Sequence, residues 1–367
     1  MAKKKQVAED AQTKSVIDQT LAELEARYGK VCTSGQAVVD RPRMVIPTSP
    51  NLDAALGGGI PEGSWVSLVG MEKTGKTTTA LSFSANCQKP EYGSRPIIYH
   101  AVESRLKSRD LRGIRGLDLS PSKFHVVESK KGHILTAQEH LEIAERFITD
   151  VPGCVLILDS VSALLNPRVQ EDGVGTADYG SVHKLMAQFI DRMTPVVPIN
   201  DCIIIGIVHF YANVNRTGNG PTKVEKSASR WRYQADVILN TRYAGPWLID
   251  PKVKESQRIG QIINWTVVTS AIGPPGGKAE TYLRYGLGID SLWESILCGG
   301  STGTLKENSS WFTLEFLKDK PELLKGTDLE GKAEPKLQGV KQVYQFLRDN
   351  PKCEQVLNEE LRKMVAA

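Results

Sequence analysis

A chain of 367 residues, 40% hydrophobic and 24% charged, has a globular balance and enough length for one large domain with appendages, or for two domains. Its net charge of +4 is too small to demand a nucleic-acid or membrane partner, although basic clusters stand at "MAKKK", "SRLKSRDLRGIR" and "RTGNGPTKVEKSASRWR". The six cysteines contain no C-x-x-C pair, which argues against zinc, and no apolar run has the length of a bilayer span or the form of a secretory signal, so a soluble cytoplasmic chain with reduced thiols is expected.

Residues 1–13 are polar and basic, a composition that disfavours order. Ile17, Leu21, Leu24 and Tyr28 then share one helical face, which Gly29 would end. Nothing close in sequence offers that face a partner, so the helix is expected to dock elsewhere on its own chain or on a neighbour. Pro42, Pro47 and Pro50 mark a linker.

From Met44 to Ile289 short β-branched runs alternate with helical patterns. "SWVSLVG" (64–70), "PIIYHA" (96–101), "KFHVVES" (123–129), "CVLILDS" (154–160) and "CIIIGIVHF" (202–210) read as strands. "KTTTALSFSANCQK", "AQEHLEIAERFITD" and "GSVHKLMAQFIDRM" read as helices. Near-continuous apolar strands between helices predict an α/β core with a mostly parallel sheet covered on both faces. After Asp236 the segments "VILNTRY", "QIINWTVVTS" and "ETYLRYG" predict an antiparallel extension of it. Beyond Ser291 a Gly/Ser-rich stretch, a charged linker and two helical segments split by "DNP" predict a small α-rich C-terminal domain. The expected division is 1–43, 44–290 and 291–367.

Gly70, Met71, Glu72, Lys73, Thr74, Gly75, Lys76 and Thr77 spell G-x-x-x-x-G-K-[ST], with Thr78 next. The motif follows a strand and opens a helix, the setting in which backbone N–H groups and a helix N-terminus cradle phosphates. Lys76 is expected to reach the β- and γ-phosphates of a nucleoside triphosphate, and the Thr77 hydroxyl to ligate Mg²⁺. Asp159, after four apolar residues, is expected beside the metal. Glu103, just past the next strand, stands open between two readings: a group that activates the attacking water, or a surface glutamate paired with Arg105. His209, closing so apolar a strand, reads by itself as a residue that caps a core.

Lys76, Thr77, Glu103 and Asp159, set among "VIPTSPNLDAALGGGIPEGSWVSLVGMEKTGKTTTAL", "YGLGID" and "FLRDNPKCEQVLNEELRKMV", resemble the RecA family of recombinases over nearly the whole chain. The resemblance implies a P-loop ATPase core, ATP and Mg²⁺ as cofactors, and Glu103 as the catalytic base. It puts His209 at the γ-phosphate sensor position, where the family usually has glutamine, and a catalytic role follows for Lys76, Glu103 and His209. It further implies two DNA-contacting loops. In "NPRVQEDGVGTADYGSVHK", Tyr179 falls at a wedge position and Lys184 at a phosphate-binding one. The second loop runs from Phe210 and Tyr211 to about Arg232; Val214 falls at its wedge position, and Arg216, Lys223, Arg230 and Arg232 supply cations.

The implied partners are single-stranded DNA, homologous duplex DNA and further copies of the chain in a helical filament. Recombination mediators and a single-strand-binding protein would act on it, and no membrane is involved. Thr269 and Ala271 stand where the family carries two lysines that reach a neighbour's ATP; Arg232, Lys252, Lys254, Arg258 and Lys278 are the cations nearest in the sequence. Two other readings keep the fold: a ring-forming ATPase motor or regulator, and a filament scaffold that binds ATP with little hydrolysis.

Overall fold

The computed structural model describes residues 16–165, 179–212, 223–225, 229–249 and 255–366. The expectation of disorder for 1–13, and the candidates Val214, Arg216, Lys252 and Lys254, lie outside the described residues. The chain divides into two compact units, Met1–Met44 and Val45–Ala367.

In the first unit residues 16–28 form helix α1. Gly29 ends it at φ 80°, a left-handed conformation that glycine adopts without steric cost, and its N–H bonds the Glu25 carbonyl at 2.9 Å. Ile17 and Tyr28 stay more than half exposed on the apolar face.

The second unit opens with a short strand, Val45–Ile46, paired antiparallel with Ile60–Pro61, and α2 (Pro50–Leu56) lies between them; β1 (Trp65–Gly70) and α3 (Lys76–Cys87) follow. Next come β2 (Ile97–Ala101), β3 (Phe124–Val127), α4 (Ala137–Asp150), β4 (Val155–Asp159), α5 (Val161–Leu164), α6 (Tyr179–Met193) and β5 (Ile203–Ala212). After β6 (Lys223–Glu225) and α7 (Ser229–Gln234) the chain forms β7 (Val237–Leu248), β8 (Arg258–Thr269), β9 (Lys278–Arg284) and β10 (Gly288–Ile289). It closes with α8 (Ser291–Thr302), β11 (Leu305–Asn308), β12 (Trp311–Leu314), β13 (Lys336–Gln338), α9 (Gly339–Asp349) and α10 (Pro351–Ala366).

One large sheet has the order β10-β9-β8-β7-β1-β5-β4-β2-β3, with β6 added to β5. The six strands from β3 to β7 are parallel, and β8 to β10 extend the sheet antiparallel. β1 is buried at every position, as a central parallel strand must be when helices cover both faces. Helix α4 starts in a capping box: the Thr136 hydroxyl accepts from Glu139 N–H while the Glu139 carboxylate accepts from Thr136 N–H. Its buried His140, Leu141, Ala144 and Ile148 face a core shared with Met186, Phe189 and Ile190 of α6 and with Trp65 and Trp231. Each large side chain buried there contributes roughly 1.5–3 kcal/mol.

The expected second loop is shorter than its sequence suggests. Phe210, Tyr211 and Ala212 prolong β5 and pair antiparallel with β6. At the other end α7 drives Trp231 into the core, edge-on to Trp65 with ring centroids 5.5 Å apart. The C-terminal segment carries a three-stranded sheet, β11-β12-β13, beside its helices. Leu292, Leu314, Val343, Phe346 and Leu357 contribute to a core of its own.

Candidate nucleotide site

The phosphate-loop motif turns from β1 into α3 at the carboxyl edge of the parallel strands. Lys73 and Gly75 adopt positive φ values of 59° and 79°, which folds the backbone into a concave turn of the kind that binds anions. The N–H groups of Gly75–Thr78, which a helix start leaves without intrahelical partners, meet no acceptor among the described residues. A Cβ at Gly70 would stand 2.4 Å from the Thr241 side chain, so the strand can pass Thr241 only as glycine. The Thr241 hydroxyl donates to the Thr74 carbonyl at 2.9 Å and fixes the loop from β7.

Lys76 is buried, and its Nζ donates to the carbonyls of Gly70 at 2.9 Å and Met71 at 2.6 Å. Burial lowers its pKa to about 8, opposed by the charges of Asp159, Glu103 and Glu72. An ammonium curled over its own loop sits where phosphate oxygens could replace the carbonyls. Positive φ, free N–H groups and a lysine together fit a di- or triphosphate.

Thr77 Oγ1 donates to Asp159 Oδ2 at 2.9 Å, and the Tyr99 hydroxyl donates to the same oxygen. Burial raises the Asp159 pKa, opposed by these two hydrogen bonds. Among the described residues no cluster of three or more His, Cys, Asp or Glu would hold an ion unaided. Two adjacent hard oxygens instead suit Mg²⁺, which typically takes one or two carboxylates and fills its sphere with water and phosphate oxygens.

Glu103 lies beside this pair, just past β2. Its Oε2 faces the exposed Arg105 at 3.3 Å. Its Oε1 accepts from Ser160 Oγ at 2.6 Å and from His209 Nε2 at 3.2 Å. The hydrogen bond from His209, ahead of that from Ser160, lowers the carboxyl pKa to about 2 against the opposing effect of burial. His209 arrives through sheet register, which sets it beside Gly70. β4 no longer flanks β5 at this level, and Ser162 Oγ accepts the His209 N–H at 2.8 Å instead. His209 Nδ1 is buried without a partner among the described residues. The imidazole thus points its donor at Glu103, where the resemblance implies a γ-phosphate. Tyr99, Ser160, Ser162 and Thr241 were not singled out by the sequence, because their partners are set by sheet register.

The sequence model described as the RecA N-terminal domain matches residues 15–290. The protein named Protein RecA of Bifidobacterium longum is 30% identical over 363 residues, 98% of this chain and 81% of its own length. That of Thermotoga neapolitana is 27% identical over 363 residues, 97% of this chain and 95% of its own, and that of Thermotoga maritima 27% over 361 residues, 97% and 93%. The chain belongs to the RecA family.

The RecA resemblance assigned DNA contacts that the structure distributes unevenly. Tyr179 heads α6, and Lys184 is exposed one turn further on. Phe210 is partly buried against the core. Tyr211 and Lys223 sit in the β5–β6 ladder. Arg230 and Arg232 are exposed on α7, where Arg230 pairs with Asp191 of α6. Thr269 ends β8 with its hydroxyl buried and unpartnered among the described residues, and Ala271 is exposed. Arg258 lies over the rings of Tyr243 and Tyr285, at 5.8 and 5.7 Å from their centroids.

Proposed function

We propose that this protein is an ATP-dependent DNA recombinase that assembles as a helical filament on single-stranded DNA and exchanges strands with a homologous duplex. The observation that supports it best is the continuity of β5. One strand carries His209 to Glu103 and Gly70, then runs directly into the ladder that holds Tyr211 and Lys223. A change at the phosphate end of such a strand is felt at its DNA end.

Lys76 and the N–H groups of Gly75–Thr78 bind phosphate oxygens, while Thr77 and Asp159 hold the metal. Bound Mg²⁺ neutralises charge on the phosphates during transfer. Glu103 orients the attacking water, and His209 exchanges its bond to Glu103 for one to the terminal phosphate. Tyr179, Lys184, Phe210, Tyr211, Val214, Arg216, Lys223, Arg230 and Arg232 line the path of DNA. Segment 1–43 joins each protomer to the next, 44–290 is the ATPase core and 291–367 the C-terminal domain. The filament works in the cytoplasm, served by recombination mediators and a single-strand-binding protein.

Steady-state ATP hydrolysis with and without single-stranded DNA tests this reading, beside Lys76→Ala. Stimulation by DNA that the variant loses supports it; brisk turnover indifferent to DNA defeats it. Deleting residues 1–30 should keep nucleotide binding and abolish filaments in electron micrographs. One observation favours a second reading, a scaffold with little hydrolysis: Thr269 and Ala271 supply no charge to a neighbour's nucleotide. Filaments that form on DNA with negligible turnover would select it.

A further inference from the structure

The geometry points to Tyr99 as a positioning residue for the metal-holding carboxylate of Asp159, an inference that rests on the ATP–Mg²⁺ reading above. β2 and β4 are parallel, with Tyr99 opposite Ile157 and Ala101 opposite Asp159. Paired residues of neighbouring strands face the same side, and so do residues two apart on one strand. Tyr99 and Asp159 are therefore diagonal neighbours on one face of the sheet, at a separation that aromatic and other long side chains can span.

The phenol spans it. Its hydroxyl donates to Asp159 Oδ2, the oxygen that also accepts from Thr77. Its ring is only 2% exposed and stacks on Phe124 of the edge strand, with centroids 6.4 Å apart and planes 25° from parallel. The ring is thus held on one side by the edge strand and aimed on the other at the carboxylate.

Thr77 would hold the metal through an oxygen lone pair while its O–H still donates to Asp159, so its donor would be shared with the duty of a ligand. Tyr99 reaches the same oxygen from the neighbouring strand with no part in ligating the metal, and so would fix the direction of the carboxylate toward it. Partners that orient metal-holding groups in this way typically change metal affinity 10- to 100-fold when removed. A phenylalanine at this position would fill the same space and leave Asp159 with Thr77 as its remaining side-chain donor.

The test is Tyr99→Phe in the full-length chain, read as equilibrium binding of a fluorescent ADP analogue across a Mg²⁺ titration and in EDTA. We expect the Mg²⁺ concentration for half-maximal binding to rise about 10-fold or more, with the affinity in EDTA unchanged. A variant titration that superimposes on the wild type overturns the role. Equal weakening with and without Mg²⁺ also overturns it, because a general packing defect would act on both arms. Wild-type binding indifferent to Mg²⁺ would instead overturn the metal reading on which this role rests.

Discussion

Glu103 has three partners on two oxygens, and they pull its chemistry in a definite direction. With its pKa held at about 2 by His209 and Ser160, it is ionised throughout the physiological range and is a weak proton acceptor. In the proposed reaction it acts chiefly by orienting water until His209 turns to the terminal phosphate. Glu103→Gln should lower DNA-stimulated turnover about 10²- to 10⁴-fold while leaving nucleotide affinity nearly intact; turnover equal to wild type would remove Glu103 from the chemistry. The group works ionised, so activity falls as pH drops through its pKa. His209→Ala removes the largest cause of the depression and lets that pKa climb toward its ordinary value. The acid limb of kcat/KM should therefore move to higher pH in this variant. His209→Gln, whose amide can still donate to Oε1, should stay closer to wild type. An acid limb that does not move in His209→Ala would show that the hydrogen bond is not what holds the carboxyl down.

At the level of elements, β5 depends on a glycine in its middle. A Cβ at Gly206 would stand 2.0 Å from Trp231 Cζ2 and 2.8 Å from the Val161 side chain. The strand thus stays bare where the α7 indole crosses it. Gly206→Ala should cost about 1–3 kcal/mol by overpacking and Trp231→Ala about 3–5 kcal/mol by cavity formation. In the double variant the new methyl enters space the indole has left, so urea unfolding should give a combined loss smaller than the sum. Strict additivity would mean that the two positions do not share that space. The apolar runs behind β1, β2, β4 and β5 were legible in the sequence because a buried parallel strand needs them, and the phosphate loop because its residue types are dictated by backbone geometry. Trp231 was not, since Trp231 and Tyr233, the two aromatics in "KSASRWRYQ", set no helical period. Nor were β11, β12 and β13, too short for alternation to register. The contact of His209 with Glu103 depends on pairing Gly70 with His209, a register that no local pattern encodes.

Across the whole second unit, the C-terminal segment is tied to the large sheet and its helices through a buried acid. Glu294, in the first turn of α8, accepts the Asn51 N–H of α2 at 3.3 Å and the Tyr282 N–H of β9 at 3.0 Å. Burial lifts its pKa to about 8, with the charge of Asp53 adding to the effect, and burial also lifts Asp53 to about 7. In the unfolded chain both carboxyls have lost their protons well below neutrality. Between roughly pH 4.5 and 8 the folded state consequently binds more protons, and stability falls as pH rises through that range. His100 works in the opposite sense. Burial, aided by His140, lowers its pKa to about 3. The unfolded imidazole therefore takes up a proton that the folded one refuses, and this contribution to stability is lost as pH falls from about 6.5 toward 3. Above about pH 6.5 the imidazole's contribution is constant, and the acids alone set the slope. The stability of the wild type in urea unfolding should therefore decline from about pH 6.5 to 8 and level off above, by on the order of 1 kcal/mol per pH unit for each carboxyl that must still ionise. Glu294→Gln, which has no proton to release, should decline less steeply whatever its absolute stability, the remaining slope belonging to Asp53. Parallel declines in the two proteins would mean that Glu294 is already ionised in the fold, and that the two backbone N–H groups it accepts are enough to hold a charge inside the join between core and C-terminal segment.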